Sequence, residues 1–566
     1  MRHFRIRTAS LSAFIAVALI AGCKHSTETT APAQVAPATA ASSSDSAALA
    51  SAVDEFIQGA FERNPVFAAN AGKHEFDGKL PDYSPVALKA DADWLHAQRE
   101  RFAAMTDDRL DDKGRFQRDY VLAIIDGQLF WLEDSGFAYS NPAFYTGDLS
   151  PSMYLTRPYA PLPQRMAAFV TYQEALPKAL EQIKANLKLP LPATYIDLGV
   201  NSFGGYASFF RSDVPAIFAE VKDDALQARF KASNAAAAKA SQEMADWLKA
   251  QKPHATQAFA LGAQKFSKML HATELVDLPL DQLKAAGEAD LQRNLDALKT
   301  ACDAYAAGQS LANCVEKVNA DKPEGGAVEG ARAQLVGLRQ FLVDQDLVTI
   351  PGPEQAKVEE APPFNRWNFA YIEIPGPYEK GLPSVYYIAP PDPTWPKAEQ
   401  QAYIPGKSVL LFTSAHEVWP GHFLQFLHAN RAAWKFGQLY VGYAFAEGWA
   451  HYTEEMMFDA GLGGATPEMH IGQLSEALLR NVRFLSAIGL HTGGMTVAQS
   501  EQMFKEKGLQ DPGNARQQAA RGTYDPAYLN YTLGKLMIMQ LRDDWTKDHG
   551  GRKGWKAFHD QFLSYG

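Results

Sequence analysis

Apolar residues recur at helical spacing through most of this chain, and this periodicity restricts the fold more than any other feature. Met244, Trp247 and Leu248 lie at positions i, i+3 and i+4, and residues 235–250 are rich in alanine. The leucines within 291–298 follow an i, i+4, i+7 spacing. Both spacings place apolar side chains on one face of a helix, and alanine has the highest intrinsic helix propensity. The sequence therefore predicts a mainly α fold.

One region departs from the helical pattern. Residues 368–374 and 384–389 are rich in β-branched and aromatic residues, with prolines and glycines between them. This pattern predicts a β-hairpin or the edge of a small sheet. Breaks that contain proline or glycine interrupt the helices near 141–163, 189–193 and 351–363.

Composition excludes several classes of protein. The chain has 566 residues, of which 46% are hydrophobic, so wholesale disorder is excluded. Its net charge of −10 argues against nucleic-acid binding, which needs a basic surface. Only 3 cysteines are present, too few for a four-thiolate zinc or iron–sulfur site.

The N-terminus has the features of an export signal. A basic start precedes the apolar run 11–20, which is shorter than the roughly 20 residues that a membrane span needs. Residues 20–23 read Ile-Ala-Gly-Cys and resemble a bacterial lipobox, which implies removal of 1–22 and lipidation of Cys23. The alternative is ordinary signal cleavage beside an incidental cysteine.

The residues after the lipobox predict where the protein is anchored. Lys24 follows the cysteine, and in a Gram-negative cell this resemblance favours sorting to the outer membrane. Residues 23–48, rich in Ala, Ser, Thr and Pro, are predicted to be a disordered tether. The remaining 49–566 would form one helical unit that faces the periplasm.

Two cysteines remain in the mature chain. Cys302 and Cys314 lie twelve positions apart. Exported proteins meet an oxidising environment, which favours a disulfide between these residues. The alternative is a pair of reduced structural thiols.

The stretch 416–422 has the composition of a catalytic zinc site. It reads His-Glu-Val-Trp-Pro-Gly-His, so two imidazoles can bind the ion and Glu417 can act as general base. His416 and His422 are six residues apart, about 120° around a regular helix, so the helix must be distorted for both to bind one ion. Pro420 and Gly421 favour such a distortion. The alternative is a pair of core or capping histidines.

A second group of polar residues follows 23 residues after this motif. Glu447, His451 and Glu454 lie at i, i+4 and i+7, on one face of a helix. A carboxylate from a following helix would complete a site with two histidines and one glutamate. Glu447 is the predicted third ligand, and His451 is the rival ligand. Glu454 could orient a ligand imidazole, or it could be an ordinary surface carboxylate.

These motifs resemble those of the bacterial domain-of-unknown-function family 885 (DUF885), whose motifs in turn resemble gluzincin-type zinc metallopeptidases. The likeness covers most of residues 50–566. It depends on several short segments of the sequence: 416–422 with Gln425, 447–454, 480–483, 489–491, 531–534 and, less specifically, 64–77.

The resemblance implies a large, two-lobed helical metallopeptidase-like fold with a deep cleft. The N-terminal lobe would span about 49–350 and the metal-site lobe about 351–566. One Zn²⁺ would be held by His416, His422 and Glu447. The small β-hairpin would lie near the active site and offer its edge to an extended peptide.

The resemblance also implies roles for residues further along the chain. His491 and Tyr531 would line the cleft and stabilise an oxyanion. Arg480 and Arg483 could bind a substrate carboxylate through paired N–H donors. Their alternative role is structural, since helix arginines often pair with a carboxylate of their own protein.

The predicted function is therefore hydrolysis of peptide bonds by a membrane-anchored zinc peptidase in the periplasm. A non-catalytic metal-binding lipoprotein, acting as a binding or assembly module, is the alternative from another class. A metal-dependent amidase or esterase acting on other substrates is the alternative among enzymes. No nucleic-acid partner is expected, and the oligomeric state is left open.

Overall fold

The computed structural model describes residues 43–362, 365–366 and 368–566, and most of these are in α-helices. The mainly α prediction is therefore confirmed. The predicted signal peptide and Cys23 lie outside the described residues. So does most of the predicted tether, but the first described helix begins within its range, at Ser43. No helix of the described residues is both long and apolar enough to cross a membrane.

The helices before the sheet alternate between long ones and short connecting ones. The α-helices are α1 (Ser43–Arg63), α2 (Pro65–Asn70), α3 (Pro85–Ala103), α4 (Asp112–Leu129), α5 (Ala143–Thr146), α6 (Ser152–Thr156), α7 (Leu162–Asn186), α8 (Ala193–Ser212), α9 (Val214–Ile217), α10 (Asp224–Ala250), α11 (Ala263–Glu274), α12 (Leu280–Tyr305), α13 (Leu311–Asn319) and α14 (Ala327–Gln345). A π-helical turn, Phe130–Asp134, continues α4. Short 3-10 helices lie at His74–Phe76, Asp107–Arg109, Phe137–Tyr139 and Lys252–His254.

The helices after the sheet carry the candidate site. They are α15 (Lys397–Tyr403), α16 (Lys407–Glu417), α17 (His422–Ala429), α18 (Lys435–Leu439), α19 (Tyr443–Asp459), α20 (Pro467–Thr492), α21 (Val497–Glu506), α22 (Pro512–Tyr524), α23 (Asn530–Thr546) and α24 (Trp555–Leu563). Short 3-10 helices lie at Leu462–Ala465, Pro526–Leu529 and Gly551–Gly554.

Local sequence explains where several of these helices form. In α10, Met244 and Leu248 are buried, as their spacing predicts, and the helix begins where the side chain of Asp223 accepts a hydrogen bond from Leu226 N. The long helix α20 begins with Thr466, whose hydroxyl accepts from Met469 N, followed by a proline at the first helical position.

The predicted hairpin is present within a three-stranded sheet. Strands β2 (Ala370–Glu373) and β3 (Ser384–Ile388) pair antiparallel, with Ile372 opposite Tyr386. A further strand, β1 (Ala356–Glu360), pairs parallel with β3, so the order is β1-β3-β2. The sequence indicated only a break at β1, because Val358 is its one buried side chain and its neighbours are charged or exposed.

Hydrophobic cores connect the two halves of the chain. One cluster lies wholly within the first half and includes α7, α8 and α10. Another joins α14 to the sheet and to α16, α17 and α19. A third joins α11 and α12 to α20. The division into lobes at about residue 350 stays a prediction, and side chains from both sides of it share the same cores.

A close helix crossing sets the position of α19. Gly448 of α19 lies directly against Gly534 of α23, and a Cβ atom on either residue would overlap the backbone of the other helix. The two helices can therefore approach closely. Elsewhere, a disulfide between Cys302 and Cys314 joins the end of α12 to α13.

Candidate metal centre

A break between two helices brings His416 and His422 together. Helix α16 ends at Glu417 and α17 begins at His422. Between them, Gly421 N donates to the carbonyl oxygen of Ala415 at 2.9 Å, a span of six residues instead of the usual four. The two imidazole rings lie 4.9 Å apart and nearly perpendicular. The predicted distortion is therefore a complete break and not a bulge within one helix.

Two contacts hold this break in place. A Cβ atom on Gly421 would overlap the carbonyl oxygen of His416, so only glycine allows the chain to turn this tightly. Trp449, buried in α19, donates its indole N–H to the carbonyl oxygen of Pro420 at 2.8 Å. The helix that carries the third predicted ligand is thus fastened to the segment between the two histidines.

Glu447 completes a three-residue cluster. Its Oε2 lies 3.4 Å from His416 Nε2 and 3.2 Å from His422 Nε2. One possible ligand atom from each residue lies within 4.8 Å of the others. Two ligand atoms each about 2.0–2.1 Å from a tetrahedral zinc ion lie about 3.3 Å apart. The two carboxylate–imidazole distances therefore match those of a zinc site, and the imidazole nitrogens of the cluster lie within 4.8 Å of each other.

The electrostatics of the cluster also suit a cation. Burial raises the pKa of Glu447, but the positive charge that His422 and His416 can carry outweighs it and holds that pKa well below its usual range. The carboxylate is thus ionised, and its buried Oε2 accepts no well-directed hydrogen bond from the described residues. Burial lowers the pKa of His416, but contact with Glu447 and Glu454 raises it to about 9, so the site attracts positive charge.

Glu454 lies behind the cluster and orients one of its histidines. Oε1 accepts a hydrogen bond from His416 Nδ1 at 2.7 Å, which leaves Nε2 directed at the cluster. The other oxygen contacts His451 Nδ1 at 3.1 Å. Glu454 is fully buried, so it is not a surface carboxylate, and His451 contacts this glutamate and lies outside the ligand cluster.

Glu417 has the surroundings expected of a general base. It is 8% exposed, and burial raises the pKa of its carboxyl. The nearby charges of His422 and His416 act against that rise and do not cancel it. A carboxylate with a raised pKa accepts a proton more readily near neutral pH.

Tyr531 lies beside the cluster. Its ring stacks on that of His416 with centroids 6.2 Å apart. Tyr443, one turn before Glu447 in α19, packs its ring 6.0 Å from Tyr531. Two phenol rings therefore lie next to the predicted ligands.

The two predicted substrate-binding arginines have different environments. Arg480 pairs with Glu454 and with Glu476, so it holds the carboxylate that orients His416 and has the structural role. Arg483 lies over the Tyr531 ring at 4.8 Å and donates through Nε to Gln518. Arg521, which was not predicted from the sequence, lies 5.9 Å from the same ring.

His491 is not part of this cluster, which corrects its predicted role. Its Nε2 donates to the carbonyl oxygen of Gly522 at 2.7 Å, and its Nδ1 accepts from Leu261 N at 3.2 Å. Both ring nitrogens are therefore used by the main chain, and neither is left to stabilise an oxyanion. Burial lowers the pKa of His491 to about 4, so the ring is neutral.

Arg521 and Tyr443 were missed for different reasons. Arg521 pairs with Asp525 one turn later, and that i, i+4 spacing was a usable signal. The Tyr443 hydroxyl accepts from Arg521 at 3.0 Å and donates to Asp525 at 3.3 Å. This contact joins α19 to α22, and no local pattern in the sequence reports it.

Comparison with known proteins agrees with the family expected from the motifs. The chain belongs to the family described as "Bacterial protein of unknown function (DUF885)", whose model matches residues 65–566. A proposed lipoprotein of unknown function from Shewanella oneidensis is 23% identical, with 92% of this chain and 97% of that chain covered and a TM-score of 0.74. A proposed lipoprotein from Colwellia psychrerythraea is 16% identical, with the same coverage and a TM-score of 0.76. Both share the fold. No curated protein matches the chain significantly.

Proposed function

We propose that this protein is a zinc-dependent peptidase. The observation that carries the proposal is the cluster of His416, His422 and Glu447, whose ligand atoms are spaced for one zinc ion. Glu417, with no role as a ligand, is the residue next to His416, as in other zinc peptidases that use an adjacent glutamate as base. The motifs also resemble those of gluzincin-type enzymes.

The residues of the site have separate tasks in the proposed reaction. Bound Zn²⁺ would supply Lewis acidity, which makes water acidic enough to ionise near neutral pH and polarises a carbonyl group. Glu417 takes the proton from the attacking water and delivers it to the departing amide nitrogen. Tyr531, whose ring stacks on that of His416, would donate to the developing oxyanion.

The sheet offers a surface on which an extended peptide can bind. Strand β2 pairs with β3 on one side and has no partner strand among the described residues on the other. Ala370 of β2 belongs to the hydrophobic cluster that includes α16, and Ile372 packs against that cluster. Helix α16 is the one that ends at Glu417. A peptide that adds to this edge would gain main-chain hydrogen bonds without much sequence selection.

The proposed location is the periplasmic face of a bacterial outer membrane, with the protein anchored by lipid on Cys23. The lipobox-like sequence 20–23 and Lys24 support this proposal. The two structural relatives are themselves proposed lipoproteins. The substrates would then be peptides present in the periplasm.

The proposed function is tested by metal content and peptide cleavage together. We expect the purified protein to bind one zinc ion per chain and to cleave peptides in a mixed library read by mass spectrometry. A chelator should abolish cleavage, and added zinc should restore it. A protein that cannot bind zinc would contradict the site, and a zinc-bound protein that cleaves nothing would favour a non-catalytic binding module.

The role of Glu417 is tested by substitution. Glu417→Gln should keep zinc and lose about 10²–10⁴-fold in kcat, because general-base catalysis contributes that much. Glu399→Gln, an exposed glutamate on α15, is the matched control and should behave as wild type. Full activity in a zinc-loaded Glu417→Gln protein would remove this residue from the role of base.

A further inference from the structure

Arg483 is a buried cation without a counter-charge. It is 6% exposed, and its hydrogen bond goes to the neutral amide oxygen of Gln518 at 2.9 Å. Within the described part of the chain, no carboxylate forms an ion pair with it. The two arginines near it do have counter-charges: Arg480 pairs with Glu454 and Glu476, and Arg521 pairs with Asp525.

Such an arrangement is costly for the free protein. An unpaired charge that is buried loses its hydration without gaining a partner, so buried charges in proteins are usually paired. Burial lowers the pKa of Arg483 to about 10, and the charges of Arg521 and Arg480 add to this effect. The guanidinium stays charged at neutral pH. An anion beside it would offset the energetic cost of burying this charge and its repulsion from the other two arginines.

The unpaired cation lies next to the proposed metal centre. Arg483 is 4.8 Å from the ring of Tyr531, and that ring is stacked on His416. Arg521 lies 5.9 Å from the same ring. The separations of Arg483 and His416 from the Tyr531 ring, 4.8 Å and 6.2 Å, limit the distance from the Arg483 guanidinium to the His416 ring to about 11 Å. An extended peptide advances roughly 3.3–3.6 Å per residue, so this limit corresponds to about three residues.

We propose that Arg483 binds the free C-terminal carboxylate of the peptide, so that this protein removes one to three residues from C-termini. Guanidinium groups bind carboxylates through two parallel N–H donors, and Arg521 strengthens the positive potential at this position. Hydrolysis then breaks the C–N bond a few residues from that terminus: water supplies OH to the carbonyl carbon and a proton to the amide nitrogen. This inference rests on the proposed peptidase function.

The test compares each peptide that has a free C-terminal carboxylate with the same peptide amidated at its C-terminus, which lacks the negative charge. The first readout is binding to zinc-loaded Glu417→Gln protein by calorimetry, where the substrate stays intact. We expect the free acid to bind at least about tenfold more tightly, because a hydrogen bond to a charged group contributes about 1.5–3 kcal/mol. The second readout is the acid-to-amide ratio of kcat/KM for the wild type.

Substitution assigns this preference to Arg483. In Arg483→Gln the acid-to-amide ratio should fall towards one, mainly through KM, and Arg483→Lys should restore part of it because a charge remains. Arg516→Gln, an exposed arginine on α22, is the matched control and should keep the wild-type ratio. Circular dichroism and thermal unfolding establish that each variant is folded.

The outcomes separate this inference from the proposed function. Equal binding of acid and amide, or an unchanged ratio in Arg483→Gln, would overturn the carboxylate site while peptidase activity could stand. If no peptide is cleaved, the peptidase proposal fails, and the binding comparison still decides whether Arg483 recognises a carboxylate.

Discussion

Glu454 is the residue that organises the predicted ligands. One of its oxygens fixes the orientation of His416 and the other contacts His451, and Arg480 lies 3.5 Å from the first. The positive charges of Arg480 and His451 outweigh the effect of burial and hold the pKa of Glu454 far below its usual range. It therefore stays ionised and keeps the ligand imidazole in one orientation.

Loss of this carboxylate should weaken zinc binding. We expect Glu454→Gln to lower zinc affinity about 10–100-fold, which is the usual effect of removing a group that orients a ligand histidine. Titration against a competing chelator measures this affinity. Glu220→Gln removes an exposed carboxylate and serves as the control. Unchanged affinity in a folded Glu454→Gln protein would show that the contact with His416 has no part in metal binding.

At the scale of residues, the sequence predicted much of the candidate site. The pair His416 and His422 is recognisable because both belong to one short segment. Glu447 follows from the usual ligand set of zinc enzymes. His491 was misassigned because its two partners, Leu261 and Gly522, come from distant parts of the chain. A histidine satisfied by main-chain groups looks the same in a sequence as one that lines a cleft.

At the scale of elements, the break between α16 and α17 is the decisive feature. A continuous helix would leave His416 and His422 on different faces. The break places both beside α19, and the contact from Trp449 to Pro420 fastens it there. The predicted distortion was correct in kind, but its extent depends on this long-range contact.

Alanine at position 421 should disrupt the centre. Because a Cβ atom on Gly421 would overlap the carbonyl oxygen of His416, we expect Gly421→Ala to reduce the free energy of unfolding by about 1–3 kcal/mol. Zinc affinity should fall as well, since His416 must move. Denaturant unfolding and chelator competition measure the two effects.

Gly442→Ala is the matched control for this change. Gly442 precedes α19 and has open space where its Cβ would lie, with the nearest atom at 3.9 Å, and its backbone conformation suits any residue. It should therefore keep both stability and zinc affinity. If Gly421→Ala is as stable as this control and binds zinc as tightly, a Cβ atom at position 421 does not disturb His416.

The sheet shows which strands can be predicted from local sequence patterns. Strands β2 and β3 were predicted from their β-branched and aromatic residues, and both are present. Strand β1 was not, because it is short and mostly charged, and it becomes a strand only by pairing with β3. Pairing between distant segments is not encoded in the composition of either one.

At the scale of the whole molecule, a buried ion network joins helices from both halves of the chain. Lys535 of α23 is fully buried and lies 2.6 Å from Glu455 of α19 and 3.8 Å from Asp290 of α12. Arg293 also pairs with both carboxylates. The network thus ties the first half of the chain to the helix that carries Glu447.

Removing the central cation should destabilise the whole protein. Lys535→Met would leave buried carboxylates without their main partner, and breaking a buried ion pair costs about 3–5 kcal/mol. Denaturant unfolding measures the loss. Lys284→Met, which removes an exposed lysine from α12, is the control and should change little. Equal stability of the two variants would show that the network does not hold the halves together.

The same network implies a direction for the pH dependence of stability. Burial raises the pKa values of Asp290 and Glu455, but Lys535 and Arg293 outweigh it and lower both below the ordinary values of 3.8 and 4.5. The stabilisation is therefore present above those values and is lost as the pH falls below them. As the pH falls, the free energy of unfolding of Lys535→Met should decrease less than that of the wild type.

The sequence by itself determined the helical class, the hairpin, and the histidine pair with the glutamate next to it. Each of these depends on residues close together in the chain, where helical period, strand composition and motif spacing act directly. Only the tertiary structure decided that Glu454 orients His416, that His491 is held by the main chain, and that Arg483 has no counter-charge. These properties arise from contacts between distant helices, because burial and ion pairing depend on what the fold places next to each side chain.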